Sequence, residues 1–308
     1  MNSKMNLLKI LYGKDYVSGQ EIARKLNVSR NMVWKIINSL LEEGFQILSS
    51  SKGYKLVSFP NDLTKEELSF YAKTDFDIVF FDTIDSTNTY AKTHVDSFTK
   101  NTIIIAKEQT LGKGRFDRRF FSKAGGIYVT FIFKETFDLT DSSHLTLFAA
   151  VAICKAIEKV CKIKPDIKWI NDIFIKGKKV CGILSEASIS CEEKKLKNVI
   201  IGIGLNVDNP LDPSIVNIAT TLSKETDKPV NKSILTSEII KNMQKLPYAV
   251  QDRKYFSEYK KRLFILKKKV LIDGEEGFVL KLNNDCSLLV EVNGIKKKIY
   301  VGDVSLTV

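Results

Sequence analysis

From residue 77 to residue 207 the chain alternates short β-branched or alternating runs with helical patterns, and this rhythm constrains its fold more than any other feature. Residues 78–82, 102–107, 127–133, 167–170, 173–175, 180–187 and 199–207 read as strands. Residues 87–95, 141–160 and 233–246 read as helices. The pattern predicts a mixed sheet with helices packed on it, in a chain of the α+β class. At 308 residues there is room for two or three cores. Three domains are expected: 1–62, a helical unit with a wing; 63–268, the mixed sheet; and 269–308, a β-rich tail.

The first sixty residues have their own grammar. Ser18-Gly19-Gln20-Glu21 has capping-box spacing, so Ser18 is expected to accept from the Glu21 amide while Glu21 reaches back. The helix it opens turns Ile22, Ala23 and Leu26 inward and stops at Asn27. Ser29 is placed to cap a second helix ending near Glu43, with Gly44 in the left-handed position. Val33, Ile36, Ile37, Leu40 and Leu41 form its apolar stripe, leaving Arg30, Asn31, Lys35 and Asn38 outside. Two short helices joined by a tight turn, the second polar and basic on its outer face, have the form of a helix-turn-helix. Residues 46–49 and 54–57 flank Ser50-Ser51-Lys52-Gly53 as a hairpin wing. Nine Lys/Arg against five Asp/Glu over residues 1–62 (9 − 5 = +4) suit DNA, with a helical protein-interaction module as the alternative. Ser29, Arg30, Asn31, Lys35, Lys52 and Lys55 are the candidate DNA contacts. Phe59-Pro60-Asn61-Asp62 then breaks the pattern, and Thr64-x-x-Glu67 caps a new helix.

Several chemistries are excluded. Five cysteines form no C-x-x-C pair, and His94 and His144 stand far apart as ordinary helix residues, so no structural zinc site is expected. No G-x-S-x-G elbow is present. No apolar run reaches the roughly 18–20 residues of a membrane helix; the longest, 145–154, is too short. The N-terminus lacks a signal-peptide core, so a cytoplasmic protein is expected. The net charge of +12 points to an anionic partner, nucleic acid or nucleotide.

Four polar stretches fall at strand ends. Asp82-Thr83-Ile84-Asp85-Ser86-Thr87-Asn88 runs from a strand into a helix, where hydroxyls and an amide either bind a small polar ligand or simply cap. The stretch from Gln109 to Ser122 holds Gly112 and Gly114, which let backbone approach a ligand, and four cations, Lys113, Arg115, Arg118 and Arg119. It is no Walker A loop; it reads as an anion-binding loop. Lys168 to Glu186 reads as two strands joined at Lys176-Gly177-Lys178, bringing Asn171 and Asp172 near Lys179 and Gly182. There a carboxylate can hold Mg²⁺ while a lysine neutralises an anion. Gly202-Ile203-Gly204-Leu205-Asn206-Val207 fails as a dinucleotide fingerprint, because Val207 stands at the third glycine; its glycines are expected to admit a ligand or a neighbouring strand.

In this order, D-S-T-N, Q-T-x-G-K-G-R-x-x-R, K-W-x-N-D with K-x-x-G-I-L-x-E, and G-I-G-L-N-V, the chain resembles the biotin–protein ligases. With the winged helix before and the short β-rich tail after, it resembles their bifunctional ligase–repressor branch over nearly its whole length. The resemblance implies a central domain joining biotin to ATP with Mg²⁺, and an SH3-like β-barrel at residues 269–308. It implies biotin binding by Ser86, Thr87, Asn88, Gln109, Lys113, Gly114, Arg115 and Lys179, with Lys179 and Arg115 catalytic. Arg118, Phe120, Asn171 and Asn206 would serve the adenylate, with Phe120 as an aromatic lid, Ala219-Thr220-Thr221-Leu222 beside the nucleotide and Asp172 at the metal. The implied partners are a biotin carboxyl carrier domain, operator DNA and, with adenylate bound, a second copy of the chain; no membrane is involved.

This chain departs from the family pattern at several positions. Ile170 stands at a usual proline, where a looser turn is expected. Asp117 replaces a glycine in the closing loop, Lys113 and Phe120 replace arginine and tryptophan, and Thr307 replaces a frequent arginine. The implied chemistry brings a carboxylate to an α-phosphate, so Lys179, Arg115 and Mg²⁺ must offset the repulsion of two anions. The mixed anhydride biotinyl-5′-AMP needs a closed loop against water before an acceptor lysine attacks it. No residue is assigned as the base for that lysine. Two alternatives are a lipoate or octanoate ligase of similar chemistry, and a ligand-sensing repressor without ligase activity.

Overall fold

The structure is a computed structural model that describes residues 3–60, 62–226, 229–272, 274–300, 302 and 304–306. Thr307, the Asp117 side chain and Asp273 of the expected Asp273-Gly274 turn lie outside the described residues. The chain divides into two compact units, Met1–Thr74 with Asn231–Ile240, and Asp75–Val230 with Lys241–Val308.

The first unit begins with a helix absent from the sequence reading, α1 (Ser3–Leu11), which buries Met5, Leu7, Leu8 and Leu11. Next come α2 (Gly19–Leu26) and α3 (Arg30–Glu42), then a hairpin of β1 (Gln46–Ser50) and β2 (Gly53–Ser58). Ser18 and Ser29 cap as expected, accepting from the amides of Glu21 and Met32 at 3.1 and 3.2 Å. The second half of the expected capping box is replaced: the Glu21 carboxylate pairs with Lys25 one turn on, at 2.5 Å. Asn27 closes α2 in the left-handed region, and Gly44 follows α3 at φ +88°. Leu7, Leu8, Ile22, Val33, Ile36, Ile37, Leu40 and Phe45 share one core, while Leu41, expected in the stripe, is 44% exposed.

The unit runs past residue 62 because Phe59, Phe70 and Tyr71 form an aromatic cluster with Tyr12. Phe70 and Tyr71 belong to α4 (Lys65–Tyr71), which Thr64 caps by accepting from Glu67 N at 3.1 Å. Glu67 is fully buried and accepts from Asn231 Nδ2 at 2.9 Å; burial pushes its carboxyl up.

The second unit is built on a mixed sheet. Its elements in chain order are β3 (Asp77–Ile84), α5 (Thr87–His94), β4 (Thr102–Gln109), β5 (Ile127–Phe133), β6 (Phe137–Asp138), α6 (Ser142–Cys161), β7 (Asp166–Lys168), β8 (Asp172–Ile175), β9 (Lys178–Ser190) and β10 (Lys195–Leu205). The strands order as β3-β4-β5-β10-β9-β8-β7, with β6 also on β10; β3 and β4 run parallel and the other pairs antiparallel. The 20-residue helix α6 buries thirteen residues, from His144 to Ile157, across two faces, as befits a helix covering a sheet.

Four helices follow: α7 (Leu222–Glu225), α8 (Lys232–Met243), α9 (Leu246–Asp252) and α10 (Tyr255–Arg262). The helix expected over 233–246 is α8, which ends at Met243, and α9 and α10 escaped the sequence reading. The tail is a five-stranded antiparallel sheet of β11 (Lys269–Ile272), β12 (Glu275–Leu282), β13 (Leu288–Val292), β14 (Ile295–Ile299) and β15 (Val304–Leu306). It groups in one compact unit with the central sheet. Trp169 Nε1 donates to Cys286 O at 2.9 Å, and His144 bonds Asn284 O at 3.0 Å and the Tyr255 hydroxyl at 2.8 Å.

Candidate functional site

Sheet order gathers the four polar stretches. β3 and β4 end beside one another, and β9 and β10 carry the floor. A cavity of about 290 Å³ opens where these ends meet. Ser86, Thr87, Asn88, Gln109, Lys113, Gly114, Arg115, Arg118, Phe120, Asn171, Asp172, Lys179 and Asn206 all line it; of the expected Ala219-Thr220-Thr221-Leu222 stretch only Ala219 does, the other three being buried away from it.

At one wall β3 passes into α5. Ser86 caps that helix, accepting from Thr89 N at 3.3 Å. Gln109, at the end of β4, accepts from both the amide and the hydroxyl of Thr87 at 2.8 and 3.0 Å, and its Nε2 donates to Ser122 Oγ at 2.8 Å. Thr130 on β5 donates to Asn88 Oδ1 at 2.6 Å and lies 2.8 Å from Thr87 Oγ1. Asn88 Nδ2 donates to Glu186, which also pairs with Lys92 at 2.9 Å. Thr130 and Glu186 thus orient the wall, and sequence reasoning assigned neither a role. The one threonine in a run of apolar and aromatic residues, β5, was the available signal for Thr130.

The glycines of β10 line the cavity and also admit side chains closely. A Cβ at Gly202 would stand 2.0 Å from Asn88 Oδ1, and one at Gly204 would stand 2.4 Å from Phe120 Cε1. Phe120, expected as a lid, rests on the cavity floor against Gly182 and Gly204. Gly112 likewise serves the loop itself: a Cβ there would meet Phe120 O at 2.4 Å.

Opposite lies the β8–β9 hairpin, turning at Lys176 and Gly177 with φ of +48° and +77°. Its register sets Asp172 against Gly182, and Lys179 Nζ reaches Asp172 Oδ1 at 2.8 Å. Lys179 also exchanges backbone bonds with residues 218–220, which brings Ala219 to the cavity wall. Asn171 donates to Ile183 O at 2.8 Å, which turns its Oδ1 to accept from Arg115 Nη1 at 3.0 Å. Asn171 is therefore a latch for the basic loop. The loop is also closed on itself, Gly114 N donating to Arg118 O and Phe120 N to Gly112 O. The turn at Ile170, expected to be looser, is packed: Ile170 is buried and Tyr259 donates to Ile170 O at 3.0 Å. Asn206 Oδ1 accepts from Asn209 Nδ2 at 3.2 Å, which holds its amide at the rim.

The other expected contacts lie on the first unit. Arg30, Asn31 and Lys35 are exposed along α3. The Ser29 hydroxyl is committed to its cap, and Lys55 pairs with Asp15 at 2.7 Å. Among the described residues no group of three or more His, Cys, Asp or Glu could hold a metal, and no helix is long and apolar enough to cross a membrane.

A cation-lined pocket on a mixed sheet and a helix-turn-helix in one chain fit the class to which the family matches assign it, a protein ligase of the biotin/lipoate type with a helix-turn-helix module. Residues 80–206 match the biotin/lipoate A/B protein ligase family, and residues 4–55 match a helix-turn-helix domain family. The bifunctional ligase/repressor BirA of Bacillus subtilis is 32% identical over 96% of this chain and 95% of its own length. That of Escherichia coli is 24% identical over 98% and 96%. This chain belongs to the bifunctional ligase/repressor family. Among solved structures, the Aquifex aeolicus biotin protein ligase in complex with biotin and ATP superposes with a TM-score of 0.64 at 26% identity. The match covers 74% of this chain and 97% of that one.

Proposed function

We propose that the cavity activates biotin with ATP and that the closed loop keeps the resulting biotinyl-5′-AMP from water until a carrier-domain lysine takes the biotin. The chain is by family a biotin–protein ligase and a repressor. The observation that carries the detailed reading is the convergence of Lys113, Arg115 and Lys179 on one cavity with the Ser86–Asn88 wall. The wall holds the polar ring and carboxylate end of biotin. Lys179, kept in place by Asp172, meets charge that grows on the reacting phosphate, and Arg115 does so from the loop. Arg118, Phe120 and Asn206 face the nucleotide.

The residues present fit a bound Mg²⁺. Asp172 Oδ1 is buried and ion-paired with Lys179, yet accepts no well-aligned hydrogen bond. Magnesium is held by one or two carboxylates together with substrate phosphates, which one aspartate beside a nucleotide site supplies. When bound, it neutralises phosphate charge.

The first unit binds operator DNA, Arg30, Asn31 and Lys35 of α3 facing base edges and Lys52 and Lys55 the phosphates. Ser29 acts through its cap. We place the protein in the cytoplasm, working as a homodimer when adenylate is bound. Biotinylation of a purified carrier domain by the purified protein with biotin, ATP and Mg²⁺ tests the ligase. Pyrophosphate exchange driven by octanoate and not by biotin would reassign the pocket to a lipoate-type ligase.

A further inference from the structure

Trp34 is a large apolar side chain left in solvent on the recognition helix, which neither the fold nor the ligase accounts for. It lies in the second turn of α3, 57% exposed. The buried positions Val33, Ile36, Ile37 and Leu40 fix the inner face of the helix. At 100° per residue, Asn31, Lys35 and Asn38 then line the outer face, and Trp34 flanks them between Arg30 and Asn38. No acidic residue occurs on α3 before Glu42. An indole in solvent amid cations and amides suits a polyanion that also offers an apolar spot. In the major groove that spot is the 5-methyl group of thymine, the apolar feature on a base edge.

We infer that Trp34 is a specificity-determining residue of the DNA-binding face, its indole covering a thymine methyl in the major groove. The inference rests on the DNA-binding reading above. The indole supplies an apolar contact that neither Asn31 nor Lys35 can make, and its Nε1–H remains free to meet a phosphate oxygen.

The chain has two tryptophans, and Trp169 is buried with its Nε1 bonded to Cys286 O, so acrylamide quenching of the emission reports chiefly on Trp34. The probe is a duplex enriched by the protein from a random-sequence pool in the presence of biotin and ATP. Binding is expected to lower the quenching slope at least about two-fold. Exchanging thymines singly for deoxyuridine should weaken binding about four-fold at one position per half-site, as for one unburied methyl group. Trp34→Ala should erase that discrimination, and Trp34→Phe should keep most of it. Tight binding with Trp34 still fully quenchable, or unchanged thymine discrimination in Trp34→Ala, overturns the inference and leaves DNA binding intact. Protection that rises with protein concentration without DNA assigns the indole to a second copy and also overturns it. If the pool yields no enriched sequence, the DNA-binding reading fails, and the inference with it.

Discussion

Lys179 shows how little of a residue's role lies in its identity. Lysines 176, 178 and 179 crowd one turn, but only Lys179 lines the cavity, because the β8–β9 register points it inward to Asp172. Lys176 pairs instead with Glu225 at 3.0 Å. A cation held by a carboxylate is pre-oriented, so its worth grows as negative charge moves onto phosphate and leaving group. Lys179→Ala should therefore lower the single-turnover rate of adenylation about 10²–10³-fold, the range for removing one electrostatic stabiliser. Biotin affinity measured by calorimetry should fall much less. Equal losses in the two would make Lys179 a ligand-capturing residue. The same lesson holds at Gly202 and Gly204, where the sequence called for close approach and the structure names the side chains that approach, Asn88 and Phe120.

At the scale of elements, the basic loop is fastened to the sheet by Arg115 on Asn171, and Asn171 is fixed in turn by Ile183 O. Arg115→Gly removes the latch and should release adenylate, seen as several-fold more biotin on bystander proteins in a labelling assay. Labelling still confined to the acceptor would show that the loop's own backbone bonds suffice. His144 ties the start of α6 to α10 and to the β12–β13 connection. Burial, helped by the charge of Arg253, holds its imidazole below the usual 6.5. The unfolded chain then takes up a proton first as pH falls, so this group's share of stability is intact above about 6.5 and is lost as the pH drops below it. His144→Gln should show a shallower fall of Tm between pH 7.5 and 5.5 than the parent. Elements with caps and clean periodicity were legible, as at Ser18, Ser29 and Thr64 and in 127–133. Others were hidden for physical reasons. α10 reads as polar because Arg262, 3% exposed, is neutralised by Glu158 and Glu258. The ordered motifs predicted the cavity lining, but Thr130 and Glu186 act through partners 42 and 98 residues away, which spacing cannot show.

For the whole molecule the question is how a ligand in the second unit could govern DNA held by the first. A single winged helix makes few base contacts, whereas a two-fold dimer grips two half-sites at once. If adenylate favours the dimer, linkage demands that it tighten dimerisation and operator binding through one shared coupling free energy. Fluorescence anisotropy with and without biotin plus ATP should show operator affinity rising steeply while affinity for scrambled DNA changes little. Sedimentation of the same samples should show the dimer appearing over the same range of adenylate. The contacts themselves separate by salt. Asn31→Ala should change sequence preference at fixed salt slope, and Lys55→Ala should weaken all sequences alike and flatten the slope by about one unit or less. The lower figure follows from Asp15, which holds Lys55 Nζ at 2.7 Å and must release it to a phosphate. Asp15→Asn frees that ammonium and removes a carboxylate that would face the backbone, so it should tighten binding to every duplex. Weaker binding in Asp15→Asn would mean that the pair positions the wing and that Lys55 reaches DNA only while Asp15 holds it.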